Sequence, residues 1–171
     1  VEADHLDYFT DLPDIQKSFH KFAGMASDAV VANGDDPHTV QALEGIPYVS
    51  FGLGESNRVR AENISDDWRH FDVLCDGKFY CHMDLGVLGR HNTMNALAVA
   101  ATSWVMGIPG QKVTDGVKAF HGAGRRMEYK GEYRGAKVYD DYAHHPDELR
   151  ATLEAVRGMG DHRIVLAFQP H

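Results

Sequence analysis

Residues 29–51 read Ala-Val-Val-Ala-Asn-Gly-Asp-Asp-Pro-His-Thr-Val-Gln-Ala-Leu-Glu-Gly-Ile-Pro-Tyr-Val-Ser-Phe. The apolar run Ala29 to Ala32 predicts a strand, Asn33 to Pro37 a turn into a short helix around Thr39 to Leu43, and Pro47 to Phe51 a second strand. Strand, helix, strand is the unit of an α/β sheet, so α/β is the fold class. Within the turn, Asp35-Asp36-Pro37-His38 reads as a helix entry rather than a metal site. Upstream, Ile15, Phe19, Phe22 and Ala23 recur at helical spacing after Pro13, which predicts an amphipathic helix over residues 12–25.

Downstream, Arg58 to Leu88 changes character: short β runs predict a small antiparallel appendage. Its clearest part is a hairpin, Phe71 to Cys81, turning at Asp76-Gly77. That register sets Cys75 opposite Lys78 and Cys81 opposite Asp72, so the chain's two cysteines are offset along the ladder and are expected as reduced, buried thiols. Gly89-Arg90-His91-Asn92 opens an Ala-rich helix that runs through Val105 and stops at Gly107, and a short helix follows over Val113 to Phe120. The cluster Gly122-Ala123-Gly124 marks a domain boundary. Beyond it, Ala136 to Tyr139 predicts a strand and Pro146 to Arg157 a helix with Leu149, Leu153 and Val156 on its apolar face. Arg163 to Phe168 predicts a strand of the kind buried in parallel sheets. These last elements make one βαβ unit, which cannot bury both faces of a sheet, so the natural protein is expected to continue past His171.

The composition is that of a globular chain: 171 residues, 43% hydrophobic and 25% charged. Seventeen Lys plus Arg against 25 Asp plus Glu leave a formal charge of −8, with no basic run, which argues against nucleic acid as a partner. No apolar stretch approaches the roughly 20 residues that span a bilayer, and the start carries no signal pattern. A soluble, cytoplasmic protein with no membrane partner is expected, and a first residue that is Val rather than Met suggests an excised piece.

The densest ionisable cluster is Asp140-Asp141-Tyr142-Ala143-His144-His145-Pro146-Asp147-Glu148, between a strand end and a helix start, where α/β sheets bind ligands. Pro146, Asp147 and Glu148 are explained by the helix start itself. Four ionisable groups in Asp140, Asp141, His144 and His145 exceed what capping needs and point to function. Adjacent imidazoles diverge, so a shared metal is not expected; one could bind an anionic substrate while the other orients a neighbour. Asn92 and Asn95, three apart, share a helix face near its first turn, and carboxamides suit a purine base or ribose. Spacing alone equally allows Asn92 as a helix cap. Glu2-Ala3-Asp4-His5-Leu6-Asp7 is a weak metal candidate, and Arg125-Arg126 are either phosphate ligands or surface charges. No phosphate-loop sequence, nucleophile elbow or zinc-spaced cysteine cluster is present.

Taken in order, E-A-D-H-L-D, G-R-H-N-x-x-N-A-L-A, F-x-G-x-x-R-R-x-E, D-D-Y-A-H-H-P-x-E and F-Q-P-H resemble the Mur ligases, specifically the member that adds alanine, from Glu2 to His171. The resemblance implies part of a P-loop-type central ATPase domain over residues 1–125, followed over 126–171 by the first βαβ unit of a Rossmann-like C-terminal domain. It implies ATP and Mg2+ as cofactors, and UDP-N-acetylmuramate and L-alanine as substrates joined through an acyl phosphate. By the same resemblance His5 helps hold magnesium, while Asn92 and Asn95, beside His91, lie at the adenine site. Arg126 matches the arginine near the phosphates, with Arg125 as its competitor, and Asp140 lies near the ribose. Asp141, His144 and His145 face the interdomain site, which of the two imidazoles meets the amino acid being open. The family's phosphate loop is not in this sequence, so the chain by itself is expected to be inactive. Two alternatives stand beside this reading: the family's ligase that recycles murein tripeptide, and a non-catalytic nucleotide-binding or interaction module.

Overall fold

The computed structural model describes Val1, residues 8–160 and residues 163–169. Helix α1 (Leu12–Ala23) begins where the sequence predicts, because Asp11 accepts the Asp14 amide at 3.0 Å and Pro13 occupies the first turn. Ile15 and Ala23 are buried, whereas Phe19 and Phe22, expected on the same apolar face, are 48% and 72% exposed. The next elements are β1 (Val31–Asn33), α2 (Pro37–Ala42) and β2 (Val49–Gly52). α2 meets α1 through Gln16, whose amide donates to His38 O and Gln41 Oε1; at six residues it is too short to cover the whole stripe of α1. Strands β1 and β2 are parallel, with Val31 opposite Val49.

The expected antiparallel appendage is instead a continuation of the same sheet. Strands β3 (Val59–Glu62), β4 (His70–Cys75) and β5 (Lys78–Asp84) complete a five-stranded sheet in the order β1-β2-β3-β4-β5. β3 runs parallel to β2 after only a short loop, which parallel neighbours ordinarily cannot do. It can here because β3 flanks only the last two residues of β2, Phe51 and Gly52, so the chain need not travel back along the strand. Asp35 holds that loop: its carboxylate accepts Leu53 N at 2.5 Å, Gly54 N at 3.1 Å and Asn57 Nδ2 at 2.6 Å. Asp36 caps α2 through the His38 and Thr39 amides, so this pair is structural, as read.

The hairpin turns at Asp76 (φ 46°) and Gly77 (φ 75°), a two-residue turn with both centres left-handed, and Cys75 lies opposite Lys78. Cys81, however, faces Val73 and not Asp72, because the register shifts between Val73 and Leu74 and leaves Tyr80 as an extra residue. Helices α3 (Arg90–Val105) and α4 (Gly110–Lys118) cover one face of the sheet. The bulge serves this docking: Tyr80 Oη donates to Ile108 O at 2.6 Å, and a Cβ at Gly110 would fall 1.9 Å from Tyr80 O. Val59, Phe71, Val73, Met83, Leu97 and Ala100 form the centre of the core, each 0% exposed. Both cysteines are free and buried.

After residue 125 the chain forms an antiparallel hairpin, β6 (Glu128–Tyr133) and β7 (Ala136–Asp140), then α5 (Pro146–Arg157). β6 was not anticipated. Arg163 to Phe168, expected as a buried strand, forms no strand, and Val165 and Leu166 are 80% and 55% exposed. Its β-branched, apolar sequence favours a strand only where a neighbouring ladder exists, and β7 is paired only with β6 among the described residues.

Candidate functional site

The site forms where the first turn of α3 meets the turn before β6 and the loop between β7 and α5. Gly89, the N-cap of α3, sits at φ 97°, and a Cβ there would lie 2.9 Å from His91 Cε1 and 3.1 Å from Ala155 Cβ. Glycine is thus required by both backbone and space, and its absent side chain lets α5 approach α3. Asn92 is therefore not the cap: it lies inside the helix, and its amide donates back to Leu88 O at 2.8 Å. Asn95 does share its face, donating to Asn92 Oδ1 at 3.4 Å, and is exposed. His91 is held below the usual imidazole range, first by burial and then by repulsion from Arg126, with Asp141 pulling the other way. That brings three of the sequence-predicted residues, His91, Arg126 and Asp141, within electrostatic reach of one another.

Arg125 (φ 57°) and Met127 (φ 49°) both occupy the left-handed region, unusual for side chains of this size. The contacts that hold them come from the loop after β7: Tyr142 N donates to Arg125 O at 2.8 Å and Met127 N to Asp141 Oδ2 at 2.8 Å. The other Asp141 oxygen accepts Ala143 N at 2.8 Å and Thr152 Oγ1 at 3.3 Å. Both carboxylate oxygens of Asp141 are thus engaged with the protein. The Arg125 guanidinium stands 4.6 Å over the Tyr142 ring and 3.8 Å from Asp140. Arg126 reaches Glu148 at 3.4 Å, and the two guanidinium side chains remain 62% and 53% exposed.

The two imidazoles have different surroundings. His145 is the N-cap of α5, its Nδ1 accepting Asp147 N at 3.4 Å, while Glu148 reaches back to complete a capping box. His144 packs edge-on to Tyr142 with ring centroids 5.4 Å apart, its Nδ1 3.5 Å from Glu148. Burial opposes ionisation of Glu148, but the His144 and His145 amides together with Arg126 outweigh it and hold the carboxyl below its usual range. Glu148 serves the helix start, as its place in the sequence predicts, and pairs with Arg126 as well. A capping box is normally announced by Ser or Thr three positions before Glu, and here a histidine stands in that place. Tyr142 as a partner of Arg125, and Thr152 as a partner of Asp141, carried no sequence signal.

His5 lies outside the described residues, as do its neighbours from Glu2 to Asp7. Among the described residues no group of three or more His, Cys, Asp or Glu could hold a metal ion. The donor set does fit a nucleotide: an exposed carboxamide on α3 for a base edge and two solvent-facing guanidinium groups for phosphates.

Comparisons with known proteins agree on one family. Residues 1–103 match the Mur ligase middle domain and residues 125–171 the Mur ligase glutamate ligase domain. A UDP-N-acetylmuramate–L-alanine ligase of Caldanaerobacter subterraneus is 41% identical over the whole of this chain and 39% of its own length. Among solved structures, the UDP-N-acetylmuramate-alanine ligase of Thermotoga maritima is 31% identical with a TM-score of 0.74, covering 91% of this chain and 36% of its own. A UDP-N-acetylmuramate:L-alanyl-γ-D-glutamyl-meso-diaminopimelate ligase of Neisseria is 33% identical with a TM-score of 0.62, covering 72% of this chain and 39% of its own. The chain thus spans about two fifths of the curated relatives it matches. Matched in sequence along its whole length and sharing their fold, it belongs to the Mur ligase family.

Proposed function

We propose that this chain is the nucleotide-holding and interdomain part of an ATP-dependent cytoplasmic ligase that joins L-alanine to UDP-N-acetylmuramate in making peptidoglycan precursor. Residues 1–125 are assigned to the central ATP-binding domain and 126–171 to the C-terminal domain. The observation that carries this reading is the 41% identity, end to end, with a relative of that name. No helix among the described residues is long and apolar enough to cross a membrane.

ATP supplies the phosphoryl group that makes the muramate carboxylate reactive toward the amine of alanine. This chain's own residues bind and orient. Asn95, with Asn92 behind it, offers a donor and an acceptor to the adenine edge, and His91 borders the same turn. Arg126 supplies positive charge to the phosphates, where charge neutralisation is the main catalytic demand. Asp140 is assigned to the ribose. Asp141 fixes the turn that carries Arg126, and His145 fixes the start of α5. His144, beside Tyr142, and His145 are both assigned to the interdomain site. By the family resemblance, His5 is assigned to magnesium.

The test is ADP release by a protein with the full length of the relatives, given UDP-N-acetylmuramate and single amino acids. Turnover with alanine, glycine or serine in preference to others is expected; indifference among amino acids would sink the assignment. The 33% identity to the Neisseria ligase favours a second reading, transfer of a murein tripeptide to the same acceptor. Tripeptide supplied in place of alanine in that assay separates the two. The 171-residue chain alone is expected to release no ADP, and turnover by it would refute the division of labour proposed.

A further inference from the structure

Trp68 lies in the loop between β3 and β4 at φ 62°, a conformation that a bulky side chain keeps only when its surroundings impose it. Two residues of the first turn of α3 do so. Thr93, 0% exposed, donates Oγ1 to the Trp68 carbonyl at 2.7 Å, and the Arg90 guanidinium lies 5.6 Å from the Trp68 ring centroid. The far side of the loop is fixed by Leu85 N to Arg69 O at 3.0 Å and Arg69 Nε to Leu85 O at 2.7 Å.

A helical threonine ordinarily bonds the carbonyl one turn back, as Thr102 does to Ala98 O. Thr93 instead reaches a residue 25 positions away. It does so in a turn that has no side-chain cap and whose Asn92 amide is committed to Leu88. We infer that the Thr93–Trp68 bond is the positioning contact for the nucleotide-facing side of α3. Asn92 precedes Thr93 and Asn95 follows two residues later, so any rotation of this turn moves both carboxamides. The inference rests on the reading of those carboxamides as nucleotide ligands, and Thr93 and Trp68 act through them as positioning residues.

Isotope-labelled chain carrying Thr93→Val, Thr93→Ser or Trp68→Gly tests this by amide hydrogen exchange and by side-chain amide signals on titration with ATP. Thr93→Val leaves a part-buried carbonyl without its partner and is expected to speed exchange at Met94 to Leu97 about tenfold while Ala98 to Val105 change little. The ATP response of the Asn92 and Asn95 carboxamides should disappear with it, and Thr93→Ser should restore both. Trp68→Gly tolerates the left-handed backbone and keeps the accepting carbonyl, so it should resemble wild type in exchange. Exchange in Thr93→Val that is unchanged, or raised evenly along α3, overturns the inference, as does an ATP response surviving in that variant. No ATP response in the wild-type chain overturns the nucleotide reading, and the positioning role with it, whatever the exchange pattern shows.

Discussion

Replacing Asp141 by alanine separates a structural role from a chemical one at the centre of the candidate site. Its carboxylate takes the Met127 and Ala143 amides at 2.8 Å each and the Thr152 hydroxyl at 3.3 Å. A hydrogen bond to a charged acceptor contributes about 1.5–3 kcal/mol, but this site is only half-buried and the freed amides regain water. Discounting each short bond to about 1–1.5 kcal/mol and the long one to nearly nothing leaves about 2–3 kcal/mol, a factor of roughly 30–150. The loss is local, so the assay is hydrogen exchange at the Met127 and Ala143 amides, with thermal unfolding measured alongside. Both amides should lose protection by that factor in Asp141→Ala, and Asp141→Asn, which keeps one accepting oxygen, should fall between. Protection at both within about threefold of wild type would refute the reasoning. If the expected loss appears, a fall in ligase activity in Asp141→Ala is no argument that the carboxylate touches substrate.

Gly110→Ala should be among the most damaging single changes in the first 125 residues. The new Cβ would meet Tyr80 O at 1.9 Å and Tyr80 C at 2.9 Å, and since these are backbone atoms the expected cost is about 3 kcal/mol or more in urea unfolding. Gly116→Ala in the same helix meets nothing within 4 Å and should stabilise by about 0.5–1 kcal/mol, the ordinary gain over glycine in a helix. Burial pushes the Cys75 and Cys81 thiols up to about 12 and about 11. Both should resist a thiol reagent in the native chain and react readily in denaturant. Because these values are raised above those of the unfolded chain, the thiols' contribution to stability is complete below about pH 8.5. It falls as pH rises from there toward 12, since only the unfolded state releases the protons; urea midpoints from pH 8 to 11 should decline more steeply in wild type than in a double Cys→Ala variant.

What could be read from the residues in order was what local chemistry decides. The left-handed turn at Asp76-Gly77, the proline-led starts of α1, α2 and α5, the helical period of α3 and the ordered motifs of the Mur ligases depend on a few neighbouring residues each. Tertiary structure decided whatever depends on a partner distant in sequence. Arg58 to Leu88 joined the main sheet because Asp35 holds the loop before β3 beside the end of β2. Cys81 moved one place in register because Tyr80 bulges to receive α4 at Gly110. Arg163 to Phe168 is as apolar as a strand requires but pairs with no described strand, since apolar sequence alone does not make a ladder. At the candidate site, composition alone located the crowd of ionisable groups. Only the folded chain showed Asp141 tying the turn at Met127, His145 capping α5, and Glu148 drawing Arg126 and the imidazole loop together, because hydrogen-bond partners are chosen by position in space and not by spacing along the chain.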